Sequence, residues 1–147
     1  MSTVSHAHSV ACDSIAIEHA SAGSLYPDHV IFLGDGSVVA DADETVQQVL
    51  TRLQNDGLDA PVSILFPTFG TLMREDASPG QEALAQCLSD VCLRIPADAS
   101  LKCLNEVDVD ALMNWEAEHY RQQLEKSRTE CHTAQLPDDS AIGQVDR

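Results

Sequence analysis

The stretch "SLYPDHVIFLGDGSVVA", residues 24–40, decides the fold. Its apolar run 30–33 is rich in β-forming residues. Gly34-Asp35-Gly36 follows, and Val38, Val39 and Ala40 resume the apolar pattern. Apolar run, Gly/Asp turn and apolar run together are the signature of a β-hairpin. Pro27 and Asp28 then form the turn into the first strand, and His29 is its first polar position. Downstream, Asp41 and Glu44 supply helix-start chemistry, with the acid three residues after the cap. Val46, Val49, Leu50 and Leu53 recur at the spacing of one helical face, and Gly57 marks its end.

The same order comes round again about 34 residues later. Residues 64–66 predict a strand, Pro67-Thr68-Phe69-Gly70 a turn, and residues 71–73 a second strand. Ser78-Pro79-Gly80-Gln81 combines a Ser cap, a proline at the first helical position and a glutamine three after the cap. Leu84, Cys87, Leu88, Val91, Cys92 and Ile95 continue as an apolar stripe, and Pro96 ends it. Two such ββα units are too few for a solenoid. They predict an α+β domain: a small mixed four-stranded sheet with two to three helices mainly on one face. Residues 101–104 predict a short extended piece. A third helix starts at the Asn105 cap, with Val109, Leu112, Met113, Tyr120 and Leu124 on one side. The expected domain spans 23–126, between an irregular N-terminal arm over 1–22 and a polar, disordered tail over 127–147.

The 147 residues suit one domain, and 44% of them are apolar, enough for a core. Only 4% are aromatic, so that core is aliphatic. The 24 acidic and 8 basic side chains leave a net charge of -16. Such a chain repels phosphate, which argues against nucleic acid and anionic membrane surfaces as partners. It leaves a solvated surface or an acidic docking face for a basic partner. The first residues show no signal peptide, and no apolar run approaches the about 18 residues of a membrane span. Five cysteines lack any CxxC pair; Cys87 and Cys92 are expected as small buried hydrophobes. A cytoplasmic protein with reduced thiols is the expectation.

Few residues carry candidate chemistry. His6 and His8 sit at i, i+2 and would share one face of a strand, where two imidazoles could hold zinc or another divalent metal. Asp28-His29 is a possible acid–base pair, but adjacent residues on a strand point to opposite faces. Gly34-Asp35-Gly36 lacks the helix N-terminus and nearby cation of a phosphate cradle. Arg74, at a strand end, is the best candidate for gripping an anion, in competition with a salt bridge to Glu75 or Asp76. No nucleophile-elbow, Walker A, zinc-protease or dinucleotide motif occurs.

Three blocks, "GSLYPDHVIFLGDGSVVA" (23–40), "REDASPGQEALAQCLSDVCLRIPADASL" (74–101) and "ALMNWEAEHYRQQL" (111–124), together resemble the C-terminal portion of class II aldolase/adducin-like proteins. The resemblance runs from about residue 10 to 126. It implies a smaller α/β domain that follows a catalytic domain. That catalytic domain binds a divalent metal through a His-x-His pair and cleaves sugar phosphates. Its phosphate loop, catalytic acid and later metal ligand have no counterpart here, and Thr68 stands where relatives tend to have glycine. The resemblance therefore implies an accessory or oligomerisation domain with no cofactor of its own. Its expected partner is a separate aldolase catalytic half or a second copy of the chain. Two alternatives are a metal-dependent lyase built on His6, His8 and His29, and an acidic protein-interaction module.

Overall fold

The computed structural model describes residues 5–115 and 119–126. The described residues open with a 3-10 helix, Ser5–Cys12, then α1 (Ser14–Ser21), α2 (Pro27–Leu33), β1 (Val38–Val39) and α3 (Val46–Asn55). The hairpin strands β2 (Ser63–Phe66) and β3 (Gly70–Met73) follow, then α4 (Pro79–Cys92) and α5 (Glu106–Met113). Residues 119–126 are helical as well, α6. The α+β class holds. The four-stranded sheet does not: three strands lie in the order β1-β2-β3, with β1 parallel to β2 and β2 antiparallel to β3. The expected two to three helices are exceeded by six α-helices and the 3-10 helix among the described residues.

The missing strand is the run 30–33, which lies inside α2. A short apolar run fits a buried helix and a buried strand equally well, and its flanks decide between them. Here Pro27 takes the first helical turn, Tyr26 is the N-cap, and Gly34 closes the C-terminus at φ 97° with its N–H on the Val30 carbonyl. Proline just inside the start and glycine just past the end is the asymmetry of a helix. In consequence Gly34-Asp35-Gly36 leads from a helix into β1 and is no hairpin turn. Ser24 Oγ donates to Asp35 Oδ1 at 2.7 Å and accepts the Gly36 N–H at 3.1 Å, pinning this loop.

With α2 removed from the sheet, β1 and β2 run parallel, and α3 makes the crossover that parallel strands require. Side chains alternate across the sheet. Val38 and Ile64, paired in register, face α3 and meet Ala40, Val49 and Leu53. Val39 and Leu65 face the other way, toward Ala7, Val10, Ala85, Leu88 and Cys92. Helices thus cover both faces of the sheet, where one was expected.

Residues 5–21 also depart from the irregular arm expected over 1–22: the 3-10 helix and α1 carry part of the main core. Ala7, Val10 and Ala11, then Ala16 and Ala20, are buried at helical spacing. Asp13 caps α1 by accepting from the Ile15 and Ala16 N–H groups. Alanines let the 3-10 helix approach α4 closely enough for the Val10 N–H to reach Ser89 Oγ at 3.1 Å inside the core.

Each edge of the sheet has one backbone group taken up by a side chain. Beside β3, the Thr71 N–H donates to His8 Nδ1 at 3.1 Å. Gly70 permits this approach, because a Cβ there would lie 2.5 Å from His8 Nδ1. Beside β1, Arg52 Nη2 donates to the Val39 carbonyl at 3.2 Å while Nε and Nη2 hold Glu44. Glu44 thereby serves Arg52, and the helix-start chemistry expected at Asp41 and Glu44 moves to Thr45 and Gln48, a full capping box.

The Ser78 capping box with Gln81 forms as expected, and so does the Asn105 cap, with Asp108. Residues 101–104 form no strand; the Leu104 N–H bonds the Ser24 carbonyl at 2.9 Å. The long third helix is broken, since α5 ends at the Asn114 C-cap and α6 begins anew. Leu112 and Val109 are only half-buried, and no α5 residue is buried. Of the two helix cysteines, Cys92 is buried and Cys87 is exposed. No described helix is long and apolar enough to cross a membrane. The tail expected over 127–147 lies outside the described residues.

Candidate functional site

Five residues stand out in the sequence, and the structure scatters them. His29 is fully buried on α2. Its Nδ1 accepts the Leu25 N–H at 3.4 Å, which leaves the proton of the neutral ring on Nε2. That Nε2 is buried without a hydrogen-bond partner. Burial lowers the imidazole pKa to about 4, against the smaller opposing effect of the Asp35 charge. Tyr26, a turn away, stands with its ring centroid 5.6 Å from that of His29. Its hydroxyl is buried and unpartnered too, with the Cys87 thiol beside it outside hydrogen-bond geometry. Burial first, then that thiol, hold the phenol above its ordinary range.

Asp28 is the neighbour of His29 in sequence but not in space. On the helix it faces outward and pairs with Arg121 Nη1 of α6 at 3.4 Å, an exposed contact. The acid–base pair therefore does not form, here because of helical geometry. His8 covers the sheet edge, its Nδ1 accepting the Thr71 N–H, while His6 is exposed. The two histidines lie on a 3-10 helix, so the shared strand face on which the zinc proposal rested is not there. Among the described residues, no group of three or more His, Cys, Asp or Glu side chains is placed to hold a metal.

Arg74 is held by Asp76 in a two-pronged pair, Nε to Oδ1 at 2.8 Å and Nη2 to Oδ2 at 3.0 Å. The guanidinium keeps the Asp76 carboxyl below its usual range. The pair sits at the mouth of a cavity of about 370 Å³ between α2, the start of α4, α5 and α6. Ile31, Phe32 and Met113 give it apolar walls; Arg74, Gln81 and Glu125 give it polar ones. Glu125 Oε1 accepts the Gly80 N–H at 3.0 Å, at the positive end of α4. A Cβ on Gly80 would stand 3.0 Å from that oxygen, so the glycine makes room for the carboxylate.

Sequence inspection found Arg74 but missed Glu125, which lies 45 residues from its Gly80 partner. The available signal was a glycine at the second position of a capped helix, where a side chain would ordinarily stand. The polar groups of this cavity largely satisfy one another, so its arrangement suits the packing of an apolar group better than proton transfer. Compared with protein-family models, curated proteins and solved structures, the chain matches none.

Proposed function

We propose that this chain is an accessory domain, without chemistry of its own, that acts by association with another protein. The aldolase-like resemblance makes a separate class II aldolase catalytic half the first partner to try. One observation carries the reading: four of the five candidate residues are committed to the architecture of the fold. His8 covers a strand edge, His29 is sealed in the core, Arg74 is clasped by Asp76, and Asp28 pairs with α6. Catalytic groups need access to substrate and a protonation state matched to the task. A fully buried neutral imidazole is out of reach of substrate, and a guanidinium held by its own carboxylate is already engaged.

The test is an assay of the purified chain, with and without added zinc, against a panel of sugar phosphates. Product formation at the level of buffer is expected. Zinc-dependent release of dihydroxyacetone phosphate, lost in a His6→Ala/His8→Ala variant, would overturn the proposal in favour of a lyase.

A further inference from the structure

The cavity between α2, α4, α5 and α6 holds hydrogen-bonding capacity that the fold does not use. Arg74 gives Asp76 two of its five N–H groups, through one edge of the guanidinium. Its other N–H groups find no acceptor among the described residues. Lys126 and Gln122, also in the walls, have no side-chain partner among the described residues. Gln81 accepts the Ser78 N–H with Oε1 at 2.9 Å, which leaves its amide NH2 unused. The acids are already engaged: Asp76 accepts from Arg74, and Glu125 accepts from Gly80. What remains is chiefly donor capacity, and both cations of the wall contribute to it.

Ile31, Phe32 and Met113 supply the apolar part of the wall. Phe32 and Glu125 meet over Gly80, where a Cβ would stand 3.2 Å from Phe32 Cε1 and 3.0 Å from Glu125 Oε1. A volume of about 370 Å³ is at the small end of ligand pockets, roughly 300–1,000 Å³. Surplus donors and apolar side chains around a small space select a small ligand with an acceptor head and an apolar body. A carboxylate head offers acceptor sites enough for Arg74 and Lys126 together. Hydrogen bonds between charged partners are also roughly twice as strong as neutral ones. The net charge of -16 opposes an anion at long range, where salt screens the field beyond about 8 Å. We propose that this cavity binds a small monocarboxylate with an apolar body, its head on Arg74 and Lys126 and its body against Ile31, Phe32 and Met113. Asp76 then orients the guanidinium without exhausting it. This goes beyond the accessory-domain proposal and gives the domain a ligand.

The experiment titrates the full chain with hydrocinnamate, with hydrocinnamyl alcohol (the same body under a neutral head) and with acetate (the head without the body). Calorimetry measures affinity, and heteronuclear NMR follows the Arg74 Nε–H and Gly80 N–H signals. Saturable binding of hydrocinnamate that shifts both signals is expected, with the alcohol and acetate each about tenfold weaker. Arg74→Gln should weaken hydrocinnamate about tenfold, and Met113→Ser about fivefold. Arg94→Gln, at an exposed position outside the cavity, should bind as the parent does. Arg74 and Met113 are both partly exposed, and far-ultraviolet circular dichroism checks the folding of their variants. Lys126→Gln, at an exposed position, should weaken binding about threefold and serves if Arg74→Gln fails to fold. Unchanged affinity in the Arg74→Gln variant would overturn the proposal, as would equal affinity for the alcohol or no saturable binding by the parent. Equal affinity for acetate would reduce the effect to a surface ion pair and overturn it too. Aldol cleavage by the chain alone would sink the accessory-domain proposal and leave this comparison unchanged, so the two failures are separable.

Discussion

Residues 27–40 and 61–73 each set a proline before an apolar run and a glycine after it, yet the first builds α2 and the second builds β2 and β3. The runs VIFL and SILF are nearly the same composition. What differs is the far flank. Phe66 precedes Pro67, and the proline ring bars the residue before it from helical backbone. Leu33 precedes Gly34, which accepts the φ of 97° that ends a helix. Pro67 and Thr68 then take the central positions of the turn, with the Phe69 N–H on the Phe66 carbonyl at 3.0 Å and Thr68 at φ 68°. That is the pattern of a type II turn, whose third position favours glycine. Nearly the same interior chemistry is thus sent to different structures by the residues that flank it.

The contrast can be tested where it is strongest. Leu65, 2% exposed at the centre of the sheet, should cost about 3–4 kcal/mol as Leu65→Ala. Leu33, at the end of a seven-residue helix, should cost less as Leu33→Ala, about 2 kcal/mol. Urea unfolding of both variants measures the difference; equal losses would mean that α2 is as central to the fold as the sheet.

The second test is pH. His29 on α2 stays neutral in the folded chain down to about pH 4, whereas the unfolded chain protonates it near its ordinary value of 6.5. Its contribution is complete above pH 6.5 and shrinks as pH falls through that window, by about 3 kcal/mol in all. A His29→Phe variant should show a flatter decline of unfolding free energy between pH 6.5 and 4. An unchanged slope would place the acid sensitivity elsewhere.

The glycines come next. Gly70→Ala pushes a Cβ into His8 Nδ1 and should cost about 2 kcal/mol or more. Gly34→Ala meets nothing within 4 Å and should cost only the backbone strain, about 1 kcal/mol. Thermal melts rank the two, and the reverse order would contradict the close packing of His8 on β3. The smallest effect has the opposite sign. Thr68→Gly relieves a β-branched residue in left-handed backbone and should raise stability by up to about 1 kcal/mol.

Local chemistry made much of α4 and the β2–β3 hairpin legible. A Ser-Pro-Gly-Gln start, a clean apolar stripe and a Pro-containing turn each specify one backbone shape. The α2 segment was not legible because VIFL has no period of its own, and the glycines after it fit a hairpin as well as a helix end. The N-terminal helices were missed for another reason. Their buried stripe is mostly alanine, whose small side chains give little hydrophobic signal but permit the closest packing on α4. The candidate site was legible residue by residue and not as a constellation. The partners of His8, Asp28 and Glu125 lie 63, 93 and 45 positions away along the chain, beyond the reach of any local pattern.

The sheet edges described above have a consequence for the protein at high concentration. A small sheet grows into a fibre when a strand of another chain finds a free row of donors or acceptors at its rim. At Thr71 the donor is already taken by an imidazole, and at Val39 the acceptor is already taken by a guanidinium. His8 and Arg52 therefore each take one hydrogen-bonding group of an edge strand out of reach of a second chain. Replacing either would return that one group to the rim of the sheet, where a strand of another chain could meet it.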